Sequence, residues 1–299
     1  LLTEPGQLSG VFVFRSCIPL VDCLNSPPVT LSGMMTAPSQ SFGSISIFFP
    51  AFNDERTIGE LVCTALEILP NFTDDYEVLV INDGSSDETP RVIDELSRAH
   101  SQVKAIHHAV NRGYGGALQS GFDHASKDFI FYTDGDGQYD VREIARLLPL
   151  MTSGVDVVNG YKAKRADSFH RVIIGKVYNR LARLLFRLPI RDVDCDFRLI
   201  RRKALQRVGK ISTSGAACLE MIRKLKTNGA VFAETEVSHY PRIHGHSQFF
   251  TFSSLMRTLY DFCGLLAQAF LSASDRPTSI QATAEETEAI SPEMLTLSK

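Results

Sequence analysis

The sequence predicts an α/β protein with a mostly parallel central sheet and helices on both faces of that sheet. Short apolar segments alternate along the chain with longer segments whose apolar residues recur at helical spacing, and short loops join them. Repeated strand–helix units of this kind imply parallel strands that are covered on both faces. In such a sheet ligands bind beyond the carboxyl ends of the strands, so the loops that follow strands should carry the function.

The predicted strands are rich in β-branched and aromatic residues and are bounded by turn residues. They are Ser44–Pro50, Glu77–Ile81, Val103–His107, Asp128–Thr133 and Val155–Asn159. Apolar residues at helical spacing predict helices between them, at Glu55–Leu69, Glu88–Ala99, Tyr114–Ser126 and Asp140–Met151. Pro50 ends the first strand because its nitrogen has no hydrogen to donate. Asn53 or Asp54 can cap the helix that follows.

Composition and charge narrow the class of protein. The chain has 299 residues, of which 44% are hydrophobic and 22% charged, as in a globular protein of one large or two small domains. A net charge of −3 and a pI of about 6.3 give no sign of nucleic-acid binding. The six cysteines lack metal-binding spacing, which favours reduced thiols in the cytosol. No apolar run approaches the roughly 20 residues that a membrane-spanning helix needs.

The two ends of the chain differ from the alternating region. Residues 1–43 contain five prolines and no sustained period, so we expect an irregular extension outside the fold. Met34 and Met35 lie just upstream of the first strand, which suggests that the preceding residues lie ahead of a natural start. The expected organisation is an extension at 1–43, the α/β domain at 44–247, an amphipathic helix at 248–271 and a disordered tail at 272–299.

Two aspartates one residue apart follow the fourth strand. Asp134 and Asp136 stand at its carboxyl end, with Gln138 after them, and Gly135 and Gly137 let the backbone bend tightly. Neighbouring carboxylates repel each other unless a cation lies between them, and oxygen ligands suit Mg²⁺ or Mn²⁺. Magnesium usually reaches a phosphate through one or two carboxylates, which favours a nucleotide diphosphate as the ligand. A solvated Asp-Gly turn is the simpler alternative.

Three further loops follow strands and carry polar residues. Pro50-Ala-Phe-Asn-Asp-Glu55 is explained equally well by helix capping, and Asn82-Asp-Gly-Ser-Ser-Asp87 by a turn and a cap. Asn111-Arg-Gly-Tyr-Gly-Gly116 opens a helix, where glycines allow close approach of an anion and Arg112 adds charge. The spacing of its glycines does not match the dinucleotide-binding fingerprint. Each loop is weak support for a ligand when it is taken alone.

Taken together and in this order, the motifs resemble those of family-2 glycosyltransferases with the GT-A fold. The resemblance covers roughly Ser44 to Asp261 and includes Asn111-Arg-Gly-Tyr-Gly-Gly-Ala-Leu118 and Asp134-Gly-Asp-Gly-Gln138. Two later motifs, Asp194-Cys-Asp-Phe-Arg198 and Arg242-Ile-His-Gly-His-Ser247, are similar to those of the polyprenyl-phosphate sugar transferases, the dolichol-phosphate mannosyltransferase-like subgroup.

The resemblance implies roles for individual residues. The base and ribose pocket would be lined by Pro50, Phe52 and Asp54, with Asp83 bonding the base. The metal and, through it, the diphosphate would be held by Asp134, Asp136 and Gln138. Arg112 and Arg242 are expected to bind the nucleotide sugar as well. This sequence departs from the usual pattern at four positions: Phe52 replaces Tyr, Asp54 replaces Glu, Asp196 replaces Gly and Lys162 replaces Arg.

The chemistry of the acceptor can be argued from charge. A sugar hydroxyl would need a general base, whereas a phosphate monoester is already ionised and needs cations to hold it. From Lys162 to Arg207 the chain carries 14 Lys and Arg against four Asp, which suits an anionic acceptor or a membrane surface. The candidates for the acceptor phosphate are Arg165, Arg171, Arg198 and Arg242. A solvated basic helix face is the alternative for Lys176, Arg183 and Arg187.

Two segments have the pattern of helices that lie in a membrane surface. His170–Arg187 interleaves apolar and basic residues, and Phe249–Phe270 carries an apolar stripe. Packing against the sheet is an equally good explanation of both stripes. Relatives in the subgroup often continue into transmembrane helices, but this sequence has no such segment, so we expect a peripheral protein on the cytoplasmic face of a membrane.

The sequence therefore predicts an inverting, metal-dependent transferase that moves a hexose from a UDP- or GDP-linked donor to a polyprenyl phosphate. One alternative is a glycan or small hydroxyl acceptor, with Asp194 or Glu220 as the base. A sugar-phosphate nucleotidyltransferase would be expected to have a Gly-rich, Lys-bearing loop after the first strand. This chain lacks such a loop, which disfavours that alternative. A nucleotide-sugar-binding module without turnover is the non-enzymatic alternative, and Asp196 and Lys162 are its support.

Overall fold

The structure is a computed structural model that describes residues 42–162, 169–213, 215–242 and 252–274. For residues 169–174, 252–255 and 269–274 it describes the backbone alone. Most of the predicted N-terminal extension and of the predicted tail lies outside the described residues, so the expected domain limits stay predictions.

A seven-stranded sheet forms the centre of the molecule, in the order β3-β2-β1-β4-β6-β5-β7. The strands are β1 Ile45–Ala51, β2 Tyr76–Asn82, β3 Val103–His107, β4 Phe129–Thr133, β5 Val157–Lys162, β6 Phe197–Arg201 and β7 Phe232–Val237. β6 is antiparallel to β4 and β5, and the other neighbouring pairs are parallel. The prediction of a mostly parallel central sheet is confirmed.

Helices cover both faces of this sheet. They are α1 Ile58–Ile68, α2 Thr89–Ala99, α3 Tyr114–His124, α4 Ile144–Leu147, α5 Phe169–Phe186, α6 Arg202–Gln206, α7 Ala217–Thr227 and α8 Phe252–Ser274. The predicted single helix at Asp140–Met151 is wrong, since α4 is one short turn between 3₁₀ segments at Val141–Glu143 and Leu148–Leu150. Pro149 has no amide hydrogen and helps to end the α-helical hydrogen bonding.

The apolar core lies in two layers, one on each face of the sheet. Side chains alternate along a strand, so Ile47 and Phe49 of β1 enter one layer while Phe48 between them enters the other. All three are fully buried. The first layer lies under α1, α2 and α4, and the second under α3, α5, α6 and α7. The sheet is therefore a rigid platform whose carboxyl edge is left for polar loops.

The direction of β6 brings a second motif to that edge. Because β6 runs against β4, its first residue Phe197 pairs with the last residue of β4, Thr133. Asp134 follows Thr133 and Asp196 precedes Phe197, so these two aspartates lie side by side. The motif Asp194-Cys-Asp-Phe-Arg198 thus enters the same edge from the opposite direction.

The cysteines and helices bear on two expectations about the environment of the protein. Cys63 is disulfide-bonded, contrary to the expectation of reduced thiols for this residue. Cys195 and Cys218 are buried free thiols. None of the helices in the described residues combines the length and the apolar character that crossing a membrane requires.

Candidate active site

The loop after β4 packs directly on the loop after β1. Gly135 donates its backbone N–H to Pro50 O at 3.1 Å, and Thr57 donates its hydroxyl to Gly135 O at 2.7 Å. A Cβ atom at Gly135 would lie 2.6 Å from Pro50 O, closer than any side chain tolerates. The glycine between the two aspartates is therefore required for the two loops to meet.

Asp134 accepts a hydrogen bond from a tyrosine whose role the sequence motifs do not predict. Tyr114, the first residue of α3, donates its hydroxyl to Asp134 Oδ1 at 2.7 Å. Burial raises the pKa of Asp134 well above its usual range, the nearby Asp196 and Asp136 carboxylates raise it further, and the bond from Tyr114 opposes them. This is the electrostatic situation of a carboxylate cluster that a cation would stabilise.

Asp136 is buried and faces a protein cation. Arg242 donates from Nη2 to Asp136 Oδ2 in an ion pair, and the Gln138 amide donates to Asp136 Oδ1 at 3.0 Å. The Asp136 side chain is 6% exposed and the Arg242 side chain 27% exposed. The predicted metal ligand and the predicted phosphate-binding arginine are thus in contact at this edge.

Gln138 is tied to the same segment as Arg242. Its side-chain Nε2 donates to Tyr240 O at 3.0 Å, and Tyr240 donates its amide to Gln138 O at 2.9 Å. The side-chain oxygen Oε1 is the acceptor atom that this arrangement leaves for a cation. The segment 240–242 therefore lies along the loop 136–138.

Asp54 approaches this loop from the segment between β1 and α1. Its Oδ2 accepts the Phe52 amide at 2.9 Å, while its own amide donates to Thr89 Oγ1 at 2.9 Å. Burial raises the pKa of Asp54 to about 6, the Phe52 amide lowers it, and the Asp136 carboxylate raises it further. Pro50 is buried and Phe52 is half-buried beside it. These residues form one wall of the site.

The donor set suits a hard divalent cation. Asp134 and Asp136 offer carboxylate oxygens from one short loop, and Mg²⁺ in proteins commonly takes one or two carboxylates and completes its shell with phosphate and water. Within the described residues no group of three or more His, Cys, Asp or Glu side chains is arranged to enclose a metal. A cation at this loop would therefore need the phosphates of a ligand as further partners.

Asp83 follows β2 and is almost fully enclosed. Its Oδ1 accepts from His108 Nδ1 at 2.6 Å and from the Arg112 amide at 2.8 Å. Oδ2 makes no hydrogen bond to the described residues. Asp83 is fixed by residues that follow β3, and one carboxylate oxygen remains for a ligand.

The glycines after Arg112 have another use than the one expected. A Cβ atom at Gly115 would lie 2.1 Å from Ser212 O, and one at Gly113 would lie 2.9 Å from Thr213 O. The close approach at the start of α3 is thus made by the backbone of residues 212–213, and anion binding at this helix end stays a prediction. The Arg112 side chain itself is exposed.

Arg198 is the largest fully buried side chain among the described residues. Its guanidinium donates to Asn159 Oδ1, Tyr132 OH, Asp196 Oδ1 and Val193 O. An acceptor phosphate cannot reach this guanidinium in the conformation described, contrary to the expected contact. Asp196 compensates the buried charge at 3.0 Å, which gives the unusual aspartate a structural reason.

The remaining basic candidates are Arg165 and Arg171, and Lys162 stands where the family commonly has Arg. Arg165 lies outside the described residues, and Arg171 lies in α5, where the structure describes its backbone alone. Lys162 donates to Asp194 O at 2.7 Å, at the end of β5. Of the predicted site residues, the structure brings Asp54, Asp134, Asp136 and Arg242 together. Asp83 lies on the adjacent loop.

Comparison with known proteins gives a family and a fold. A family model described as glycosyl transferase family 2 matches residues 46–209, more than half of the chain. The mannosyltransferase PcManGT from Pyrobaculum calidifontis, solved with GDP-Man and Mn²⁺, matches with a TM-score of 0.54 at 20% identity over 76% of this chain. This chain spans 64% of the length of that protein.

A second solved structure covers both chains more evenly. Glucosyl-3-phosphoglycerate synthase from Mycobacterium tuberculosis, in complex with Mn²⁺, UDP and phosphoglyceric acid, matches with a TM-score of 0.55 at 19% identity. The match covers 79% of this chain and 80% of the synthase. At such identities the likeness shows the fold, and the predicted GT-A architecture is confirmed.

Proposed function

The chain belongs to glycosyl transferase family 2, and we propose that it transfers a hexose, with inversion, from a UDP- or GDP-linked donor to a polyprenyl phosphate at the cytoplasmic face of a membrane. The observation that carries the donor half of this proposal is the group of carboxylates, Asp54, Asp134 and Asp136, beside Arg242 at the carboxyl edge of the sheet. The similar solved enzymes hold Mn²⁺ with GDP-Man or with UDP, which supports Mg²⁺ or Mn²⁺ here.

Each residue of this edge has a part in donor binding. Asp134 and Asp136 would hold the cation, with Gln138 Oε1 as a further oxygen. Such a cation neutralises charge on the leaving nucleoside diphosphate. Asp83 Oδ2 would accept a hydrogen bond from the base, and Asp54 would contact the ribose. Arg242 can exchange its contact with Asp136 for one with a diphosphate oxygen, since a guanidinium binds phosphate as well as carboxylate.

The proposed phosphate acceptor is supported by the contacts of the two candidate bases, Glu220 and Asp194. Glu220 accepts the Ser212 amide at 2.8 Å and pairs with Lys224 at 2.8 Å, and Asp194 accepts from Asn179 at 3.1 Å. Both carboxylates thus have structural partners. An ionised phosphate acceptor needs no base to remove a proton, which makes it the better match to this site.

The membrane half rests on the outer surface of α5. An apolar row and a basic row run side by side along it, and both face solvent. The apolar row is Val177, Leu181, Leu184 and Leu185, and the basic row is Lys176, Arg180, Arg183 and Arg187. Exposed apolar side chains flanked by cations suit an anionic lipid surface.

Helix α8 extends this surface. Phe262 of α8 packs on Tyr178 and Phe186 of α5, with ring centroids 5.7 and 5.6 Å apart, so the two helices lie against each other. Met256, Leu259 and Tyr260 of α8 are exposed as well. A lipid-linked acceptor would be delivered from such a surface.

The test is an extraction assay with both donors. The protein is incubated with radiolabelled UDP- or GDP-hexose, Mn²⁺ or Mg²⁺, and polyprenyl phosphate, and we expect label in the organic phase. Label transferred to a soluble hydroxyl acceptor, with none on the lipid, would reject the lipid acceptor. Binding of the nucleotide sugar with no transfer to either acceptor would favour a non-catalytic module.

A further inference from the structure

Behind Asp83 lies a row of buried polar side chains that the proposed mechanism does not use. His108 Nδ1 is 2.6 Å from Asp83 Oδ1, and Ser120 Oγ is 2.8 Å from His108 Nε2. Asp83, His108 and Ser120 are 4%, 6% and 8% exposed. Polar groups this deeply buried are costly unless they are hydrogen bonded, and here each bonds the next.

The chemistry of the carboxylate fixes the direction of the bonds to Asp83. An ionised carboxylate can only accept, so the hydrogen between Asp83 and His108 belongs to Nδ1. The Ser120 hydroxyl can both donate and accept, so it satisfies Nε2 whichever of the two atoms carries the hydrogen. The Arg112 amide, at 2.8 Å, is a second donor to the same Oδ1 atom. Two donors on Oδ1 fix the plane of the carboxylate and leave Oδ2 on the other side.

The fold explains why these residues meet. β2 and β3 are paired in register as far as Asn82 and His107, so the next residues, Asp83 and His108, leave the sheet together. The His108 amide donates to Asn82 O at 2.9 Å, which continues the ladder by one step. Ser120 projects from α3, which packs on β1 and β2.

We propose that His108, braced by Ser120, is a positioning residue that directs Asp83 Oδ2 at the nucleobase of the donor. The inference rests on the proposed function, in which Asp83 bonds the base. Both uracil and guanine present ring N–H groups that a carboxylate oxygen accepts. A carboxylate held in one orientation binds such a group more tightly than one that must be ordered on binding.

The experiment separates the base from the diphosphate. Dissociation constants are measured calorimetrically for UDP, GDP and inorganic pyrophosphate, each with Mn²⁺. Pyrophosphate has no base, so it reports on the metal and phosphate part of the site. The variants are His108→Ala, His108→Asn and Ser120→Ala. His107→Ala is the matched control, because this neighbour bonds Asn82 and Asp94 on the other side of β3.

We expect His108→Ala to raise the dissociation constant of the preferred nucleoside diphosphate about tenfold, the scale of one hydrogen bond to a charged group. The constant for pyrophosphate should stay unchanged. His108→Asn keeps an N–H donor near the position of Nδ1 and should restore most of the affinity. Ser120→Ala should weaken nucleotide binding in the same selective way, but less. In steady-state assays the KM for the nucleotide sugar should rise while kcat changes little.

Two results would overturn the inference. Equal weakening of nucleotide and pyrophosphate binding would assign His108 a general structural role, and unchanged binding of both would assign it none. If His108→Ala fails to fold, the comparison of nucleotide and pyrophosphate in His108→Asn and Ser120→Ala decides in its place. Failure of the unaltered protein to bind either UDP or GDP with Mn²⁺ would instead reject the proposed function itself.

Discussion

At the Asp136 carboxylate, Arg242 supplies positive charge to one oxygen and the Gln138 amide donates to the other. A divalent cation at this loop would take over the part that Arg242 plays in neutralising the carboxylate. The arginine would then be released close to the position of the diphosphate. One residue therefore links metal binding to the segment 240–242, which also holds Gln138.

Asp136→Asn tests that assignment. Asparagine has the same shape without the charge, so we expect an intact fold and a loss of metal-dependent turnover of at least about 100-fold, since even outer-shell changes at metal sites cost 10–100-fold. Product formation at saturating Mn²⁺ and circular dichroism are the measurements. The control is Asp140→Asn, which changes the N-cap of the 3₁₀ segment Val141–Glu143 and should keep its activity. Near-normal turnover of Asp136→Asn would remove Asp136 from the metal site.

Glu77 gives a residue-scale prediction about stability. Its side chain is 4% exposed and accepts from Ser46 at 2.6 Å, from Lys104 at 2.7 Å and from Ser126. Burial alone raises the pKa of Glu77, but these hydrogen bonds more than offset it and lower the pKa from 4.5 to about 2. Because the folded-state pKa is below the unfolded one, the ionised form stabilises the fold.

That stabilisation is fully present above pH 4.5 and is lost as the pH falls toward 2. The two pKa values correspond to about 3 kcal/mol at neutral pH. We expect Glu77→Gln to lower the free energy of unfolding at pH 7 and to flatten its decline between these pH values. Urea unfolding at several pH values measures both. Glu95→Gln, which alters a half-buried partner of Arg91, is the control. An unchanged pH profile in Glu77→Gln would contradict the assignment.

At the scale of elements, α5 has three different faces. Tyr178, Ala182 and Phe186 face the core, while the apolar and basic rows face outward. Leu184 is 72% exposed, which is unusual for a leucine in a helix packed on a sheet. A surface of this kind gains free energy when it enters the headgroup region of a bilayer.

Replacing Leu181 and Leu184 by serine should therefore weaken binding to vesicles. Removing two leucines that bury into lipid should lower the partition coefficient by at least about tenfold. Cosedimentation with phosphatidylserine-containing vesicles is the measurement, and raised salt should weaken binding further because the basic row contributes. Val231→Ser alters an exposed apolar residue away from α5 and is the control. Binding that is unchanged in the double variant would exclude α5 as the lipid contact.

The elements also show where reading a sequence succeeds. Val103–His107, a partly exposed edge strand, has the predicted limits. β1, β2 and β4 lie within a residue of theirs, because buried strands carry a dense apolar signal. The segment of β6 is recognisable by its motif but is not predicted as a strand, since five residues that include two arginines show little periodicity. Its antiparallel direction, and with it the position of Asp196 beside Asp134, depends on long-range pairing that a local pattern does not encode.

For the candidate site, the sequence predicts which loops take part but not all of the side-chain contacts. The loops that follow β1, β2 and β4 are located by their strands, and Asp54 of the first loop lies near Asp136 of the third. The burial of Arg198 was not foreseeable, because a charged residue in a basic region reads as exposed until its partners are known. Tyr114 was quoted within a motif, and its contact with Asp134 appears only when α3 is placed over the sheet.

On the scale of the whole molecule, the sheet has two parts that meet between β4 and β6. β1 to β4 carry the carboxylate loops, and Arg242 follows β7 on the far side of the sheet. The ion pair between Arg242 and Asp136 therefore crosses the junction of the two parts. A ligand that binds at this junction stabilises the folded molecule as a whole, since it bonds residues from both sides.

This arrangement predicts a thermal shift that needs two ligands together. A nucleoside diphosphate with Mn²⁺ at about 100 times its dissociation constant adds about 2.7 kcal/mol to the folded state. For a domain of this size that corresponds to a rise in Tm of about 5–10 °C. We expect a clearly smaller rise with Mn²⁺ alone or with nucleotide and chelator, because the coordination shell of the cation needs both the carboxylates and the phosphates of the nucleotide. Asp136→Asn should abolish the combined shift, whereas Asp140→Asn should keep it. An equal shift by nucleotide in the presence of chelator would mean that the carboxylate pair binds no metal, and the cation would then have no part in holding the donor.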